Sequence, residues 1–135
     1  MKTQSGRSMI EMLGVLAIIG VLSIGGLAGY TKAMNSYQAN QIMDYMNRCS
    51  VAVQERLGVG ATVNASTNCT DSSLLGSSDT GPVTISTGTV SASQFTLTGT
   101  APDSTICTTI GNRNSTNAEP QWSCSGTTVT ATYKL

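Results

Sequence analysis

The feature that most constrains this chain is a long apolar run close to its start. Between Met9 and Tyr30 the only polar groups are the side chains of Glu11 and Ser23 and the hydroxyl of Tyr30. A helix over residues 9–30 rises about 33 Å, which is enough to cross the hydrocarbon core of a bilayer. The run therefore predicts a membrane-spanning helix.

Glu11 is the residue that does not fit an ordinary membrane helix. An ionised carboxylate inside such a run costs about 2.5–3.5 kcal/mol on insertion scales. A side chain that is this costly indicates a functional site, and its expected partner is a cation.

The start of the chain resembles the type IV prepilins. They combine a short polar leader that ends in Gly, here Gly6, with a glutamate at the fifth mature position, here Glu11, and an apolar helix. The resemblance implies that a prepilin peptidase cuts after Gly6 and methylates the new amino group of Arg7. Arg7 departs from the family pattern, because the first mature residue is usually Phe, Met or Leu.

An ordinary secretory signal is the alternative reading of the same segment. Lys2 and Arg7 precede the apolar run, and Gly26-Leu27-Ala28 resembles a signal-peptidase site. The run is longer than the usual apolar core of a signal peptide, and the acid at Glu11 is unfavourable there. In both readings the basic residues stay on the cytoplasmic side and the rest of the chain crosses.

The composition argues against most enzymatic and nucleic-acid-binding functions. The chain has 135 residues, no histidine, a formal net charge of zero and only 10% charged residues. Without histidine the commonest general base and metal ligand is missing, and without a basic patch direct nucleic-acid binding has no support. We expect no catalytic site, no metal and no cofactor.

After Tyr30 the helical pattern continues in amphipathic form. One apolar stripe follows helical spacing, with Ile42, Met46, Cys49, Val53 and Leu57. Gly58 and Gly60 predict the end, so one helix over about residues 8–57 is expected. Gly25, Gly26 and Gly29 predict a segment that is helical in a single copy but weak in a filament.

From Pro82 onward apolar residues alternate with Thr and Ser, which indicates four or five short antiparallel strands. The segments 105–110 and 122–124 are predicted strands, and Gly88, Gly99, Gly111 and Gly126 are predicted turns. The apolar face of the sheet needs a cover, which the helix stripe can supply. The expected fold class is α+β, a long N-terminal helix packed on a small C-terminal antiparallel sheet.

Three segments are expected from these patterns and from the resemblance. Residues 1–6 form a leader peptide that is removed, and residues 7–30 form the half of the helix that lies in the membrane or a filament core. Residues 31–135 form a periplasmic or extracellular globular domain.

The four cysteines all follow the apolar run, and in an oxidising compartment two disulfides are expected. The sequence alone leaves three pairings open. The resemblance implies a disulfide that closes a C-terminal loop, which favours Cys107 with Cys124. Cys49 lies on the apolar stripe and Cys69 in the loop expected to return over it, which favours Cys49 with Cys69.

The resemblance implies a structural subunit of a surface filament. Its partners would be further copies of itself, prepilin peptidase, the pilus assembly machinery and, before assembly, the inner membrane. Glu11 would pair with the amino terminus of a neighbouring copy and set the axial register. The alternatives are a pseudopilin or minor pilin of a secretion or DNA-uptake system, and a membrane-anchored binding domain that never polymerises.

Overall fold

A computed structural model describes residues 4–64, 69, 84–114 and 118–135, with side chains from residue 8 onward. The fold is α+β, as predicted: one long N-terminal helix and one small antiparallel sheet. The elements in chain order are α1 (Gln4–Gly58), β1 (Ile85–Val90), β2 (Gln94–Thr100), α2 (Ser104–Gly111), β3 (Gln121–Ser125) and β4 (Thr128–Lys134).

The chain divides into two compact units, Met1–Met34 and Asn35–Leu135. The first unit holds the apolar run. The second holds the remainder of α1, the sheet and α2. The division predicted from the sequence lay after Tyr30.

Helix α1 ends in a glycine motif that determines where the helix stops. Gly60 adopts a φ of +75°, which is readily accessible to glycine. The N–H of Gly60 donates to the carbonyl of Leu57 at 3.1 Å, and the N–H of Ala61 donates to that of Arg56 at 3.0 Å. This pair of bonds is a Schellman motif, which satisfies carbonyls that the last helical turn leaves open. The predicted stop at Gly58 and Gly60 is confirmed.

The sheet has the strand order β1-β2-β4-β3, and all neighbours are antiparallel. Strands β3 and β4 form a hairpin whose turn contains Gly126 at a φ of +62°. In the central pair Phe95 lies opposite Tyr133 and Leu97 opposite Ala131. These residues face the core because side chains at alternate positions of a strand share one face.

The core of the second unit lies between the sheet and helix α1. The predicted stripe provides the cover, since Ile42, Met46, Cys49 and Val53 are buried and Leu57 packs partly buried against them. From the strands and α2 the core receives Ile85, Phe95, Leu97, Ile106, Ile110, Trp122, Val129 and Tyr133. The predicted packing of a helix stripe on a sheet face is confirmed.

The prediction of a strand over residues 105–110 was wrong, because this segment forms helix α2. Asp103 supplies the N-cap, its carboxylate accepting from the backbone N–H of Thr105 at 2.7 Å. That bond lowers the pKa of the Asp103 carboxyl, because it favours the charged form. Ile106 and Ile110 then lie one turn apart and are both buried. The threonines of the segment favour strands, but the cap and the apolar spacing favour a helix.

Two of the four predicted glycine turns were also wrong, and a third, Gly111, is the last residue of α2. Gly88 lies within β1 and Gly99 within β2. At Gly88 a β-carbon would collide with the side-chain hydroxyl of Thr96. Because residue 88 is a glycine, that hydroxyl has room to accept a hydrogen bond from the N–H of Thr89 at 2.8 Å. The β1–β2 register shifts between Thr87 and Val90, so Gly88 marks an irregularity inside a strand.

Tyr133 joins the sheet to helix α1. Its hydroxyl donates to the side-chain oxygen of Asn47 at 2.9 Å, and its ring stacks on Phe95 with centroids 5.2 Å apart. Burial raises the pKa of Tyr133 to about 12, and a hydrogen bond with Ser50 partly offsets the rise. The neutral phenol is therefore the form that the folded protein favours.

The raised pKa of Tyr133 predicts a loss of stability at high pH. An unfolded tyrosine ionises near pH 10, whereas folded Tyr133 keeps its proton to about pH 12. The free energy of unfolding should fall as pH rises through this interval, by less than about 1.4 kcal/mol per pH unit. Denaturant unfolding at pH 9 to 11 should show a shallower decline in Tyr133→Phe than in the wild type. The exposed Tyr37→Phe serves as the control, and an equal decline in all three proteins would contradict the assignment.

Candidate functional site

The apolar run forms a helix surface whose large side chains are covered by none of the described residues. Its large side chains from Met9 to Leu27 are all exposed, including Ile10 at 73% and Ile24 at 75%. Soluble monomers rarely expose a contiguous apolar surface of this size. The surface therefore needs a membrane or other protein chains around it.

The helix can lie in lipid, where backbone N–H and C=O groups have to be hydrogen-bonded within the protein. It is long and apolar enough to cross a membrane by length and composition. Its backbone groups pair within the helix, and no proline interrupts residues 4–58. The hydroxyl of Ser23 donates to the carbonyl of Ile19 at 2.7 Å, and that of Thr31 donates to Ala28 at 3.0 Å. These hydroxyls need no outside partner.

Glu11 lies on this surface and is exposed, as the neighbouring residues are. It follows Ser8 by three residues, so it lies about 4.5 Å further along the helix. Its neighbours in the chain, Met9, Ile10 and Met12, are apolar and are exposed as well. Gly6 and Arg7, the residues of the predicted cleavage junction, belong to the first turns of α1, and the side chain of Arg7 lies outside the described part of the chain.

The three glycines of the apolar half have no packing role among the residues that the structure describes. A β-carbon at Gly25, Gly26 or Gly29 would meet no atom within 4 Å. The helix is continuous through them, as predicted for a single copy. Each nevertheless costs about 0.8–1.0 kcal/mol relative to alanine in a helix. A reason for glycine here has to come from a partner or from local unwinding.

A second exposed surface of α1 lies on the face of the helix opposite to the core. We call it the outer stripe; its members recur at spacings of three and four residues and are all exposed: Tyr37, Gln41, Asp44, Arg48, Val51 and Glu55. Arg48 and Asp44 form an ion pair at 3.1 Å, and Gln41 donates to the Tyr37 hydroxyl at 3.0 Å. The stripe carries both signs of charge and two large apolar side chains, Tyr37 and Val51. This surface was not predicted from the sequence.

The cysteines are joined as Cys49–Cys69 and Cys107–Cys124, the pairing that the sequence analysis favoured. The Cα atoms are 5.8 Å apart in the first pair and 5.5 Å in the second, both usual for disulfides. Cys107 lies in α2 and not in a strand, so the second disulfide joins a helix to strand β3. Most of the connecting loop around Cys69 lies outside the described residues.

Asn114, inside the loop closed by Cys107 and Cys124, covers the outer edge of β3. Its side-chain oxygen accepts from the N–H of Trp122 at 2.7 Å, and its side-chain nitrogen donates to the carbonyl of the same residue. One amide side chain thus replaces a neighbouring strand at this position. The next residue back, Arg113, donates to the side chain of Asn40 on α1. No spacing signal in the sequence pointed to either contact.

The described residues contain no group of three or more metal-ligating side chains. Among the described residues, every buried side-chain nitrogen and oxygen has a hydrogen-bond partner. The surfaces with unexplained chemistry are therefore the apolar half of α1 with Glu11 and the outer stripe. Comparisons with protein-family models, with curated proteins and with solved structures find no match to this chain.

The contacts of Asn114 predict a measurable loss of stability on substitution. Asn114→Ala leaves the N–H and carbonyl of Trp122 without partners, which should cost about 1–3 kcal/mol. Urea unfolding of the full chain in mild detergent can be followed by the fluorescence of Trp122, the one tryptophan. Asn114→Asp keeps the acceptor but sets a carboxylate oxygen against the Trp122 carbonyl, so it should lose at least as much stability as the alanine variant. If the alanine variant unfolds at the wild-type midpoint, the edge does not depend on Asn114.

Proposed function

We propose that this protein is the structural subunit of a type IV pilus-like filament. The observation that carries the proposal is the uncovered apolar half of α1, in which Glu11 is the one ionisable side chain between Met9 and Tyr30. A membrane covers this surface before assembly, and bundled helices of other copies cover it afterwards. The apolar area stays out of water in both places, and the hydrophobic effect keeps the finished bundle from separating in water.

In this proposal the precursor lies in the inner membrane with residues 31–135 outside the cytoplasm. A prepilin peptidase cuts after Gly6 and methylates the exposed amino group of Arg7. The assembly machinery then moves the subunit into the extracellular filament. The resemblance in the first residues and the two disulfides, which suit an oxidising compartment, support this order.

Glu11 has a specific task in the same mechanism. Inside a water-poor bundle an unpaired carboxylate is strongly unfavourable, so it pairs with the cationic amino terminus of a neighbouring copy. The apolar area supplies most of the affinity, and the charged pair fixes the axial register. An anchored domain that never polymerises would leave Glu11 without this partner.

The first test is the amino-terminal sequence of the mature protein. Cleavage after Gly6 predicts that membranes and filaments contain a protein starting at methylated Arg7. Gly6→Val should leave the intact precursor in the membrane fraction, because the junction requires a small residue. A mature wild-type protein that keeps Met1, or that begins at Gly29, would contradict the proposal.

The second test addresses Glu11. Glu11→Gln should insert into the membrane at least as well as the wild type, because a costly charge is removed. Filament yield, measured by shearing and electron microscopy, should fall by about tenfold or more as the register is lost. Ser23→Ala is the matched control, since the Ser23 hydroxyl bonds within its own helix. Normal filaments from Glu11→Gln would refute the pairing. High copy number would favour a major pilin, and low abundance a pseudopilin or minor pilin.

A further inference from the structure

The outer stripe carries an ion pair that does little within its own chain. The side chains of Asp44 and Arg48 are 65% and 67% exposed, so water screens their attraction. An exposed pair four residues apart on a helix contributes little to folding. Asp44 and Arg48 are therefore free to exchange partners with another copy at small cost.

The spacing of this pair matches the spacing of the pair proposed at the amino terminus. Asp44 and Arg48 are four residues apart, as are Arg7 and Glu11, and four residues of α-helix rise about 6 Å. In a helical polymer every atom of one copy is displaced along the axis by the same distance from its equivalent in the neighbour. Where both stretches of α1 run along the filament axis, one displacement of about 6 Å satisfies both pairs.

The direction of the displacement is also the same for the two pairs. In a filament whose helices run along its axis, consider a copy whose Arg7 lies level with Glu11 of its neighbour. Its Asp44 then lies level with Arg48 of the same neighbour. Two parallel copies without displacement would instead bring Asp44 against Asp44 and Arg48 against Arg48, which is repulsive. The charges of the stripe thus favour displaced parallel copies over level ones.

We propose that the outer stripe docks on a second copy of this chain, with Asp44 of one copy paired to Arg48 of the other. This inference rests on the proposed filament function and adds a second register contact outside the apolar core. Tyr37 and Val51, the large apolar side chains of the stripe, lose contact with water in the same interface.

The test separates contacts between chains from contacts within one chain. Asp44→Lys makes both positions basic, and Arg48→Glu makes both acidic. Each variant alone should lower filament yield by roughly tenfold, because like charges then meet across the interface. Co-expression of the two variants should restore mixed filaments. The ion pair within each chain is broken in both variants, so rescue arises only from pairing between copies.

Two control measurements keep the result interpretable. Glu119→Lys breaks an exposed ion pair with Lys134 outside α1 and should leave filament yield unchanged. Non-reducing peptide maps of each variant should show both disulfides, which reports that the domain has folded.

Two outcomes would overturn the inference. They are normal filaments from either single variant, and failure of co-expression to restore yield when the peptide maps show both disulfides formed. If the wild type forms filaments that depend on Glu11 while either charge variant assembles normally, the function stands and this interface does not. If the wild type forms no filaments, the proposed function itself is wrong.

Discussion

The structure depends on one helix that has to satisfy two different surroundings. The second part of α1 buries one stripe against the sheet and completes the core. The first part exposes apolar side chains all round, and in water that surface would be strongly unfavourable. A helix tolerates both situations because its backbone hydrogen bonds are internal, whatever surrounds the side chains. The fold of the second unit and the anchoring ability of the first therefore depend on the same element.

A small domain with so few charges and aromatic residues needs local restraints. The disulfide Cys49–Cys69 ties the connecting loop to α1, and Cys107–Cys124 ties α2 to the sheet edge. Tyr133 and Arg113 each reach a different asparagine of α1 through hydrogen bonds. These contacts fix the sheet against the helix at several separate points, which apolar packing alone does not specify.

Much of this architecture could be predicted from residue patterns that repeat many times along the chain. The stripe from Ile42 to Val53 repeats over several turns, and strand β4 alternates over its whole length, so both were recognised. The helix α2 was missed because it is short and rich in threonine, and one capping contact from Asp103 decides its conformation. Asn114 was missed because its role depends on Trp122, which becomes a neighbour only in the folded chain. The apolar surface and Glu11 were noticed because the free energy of inserting each side chain into a bilayer can be estimated residue by residue.

The contacts of Asn114 also have a consequence for covalent modification. Asn114-Ser115-Thr116 has the sequence of an N-glycosylation acceptor. The nitrogen that would carry the sugar is the atom that donates to the carbonyl of Trp122, at the edge of β3. A glycan on that nitrogen would crowd its hydrogen bond to the strand edge. In the folded domain the side chain of Asn114 is therefore already engaged, and sugar attachment would have to precede the closure of the sheet edge.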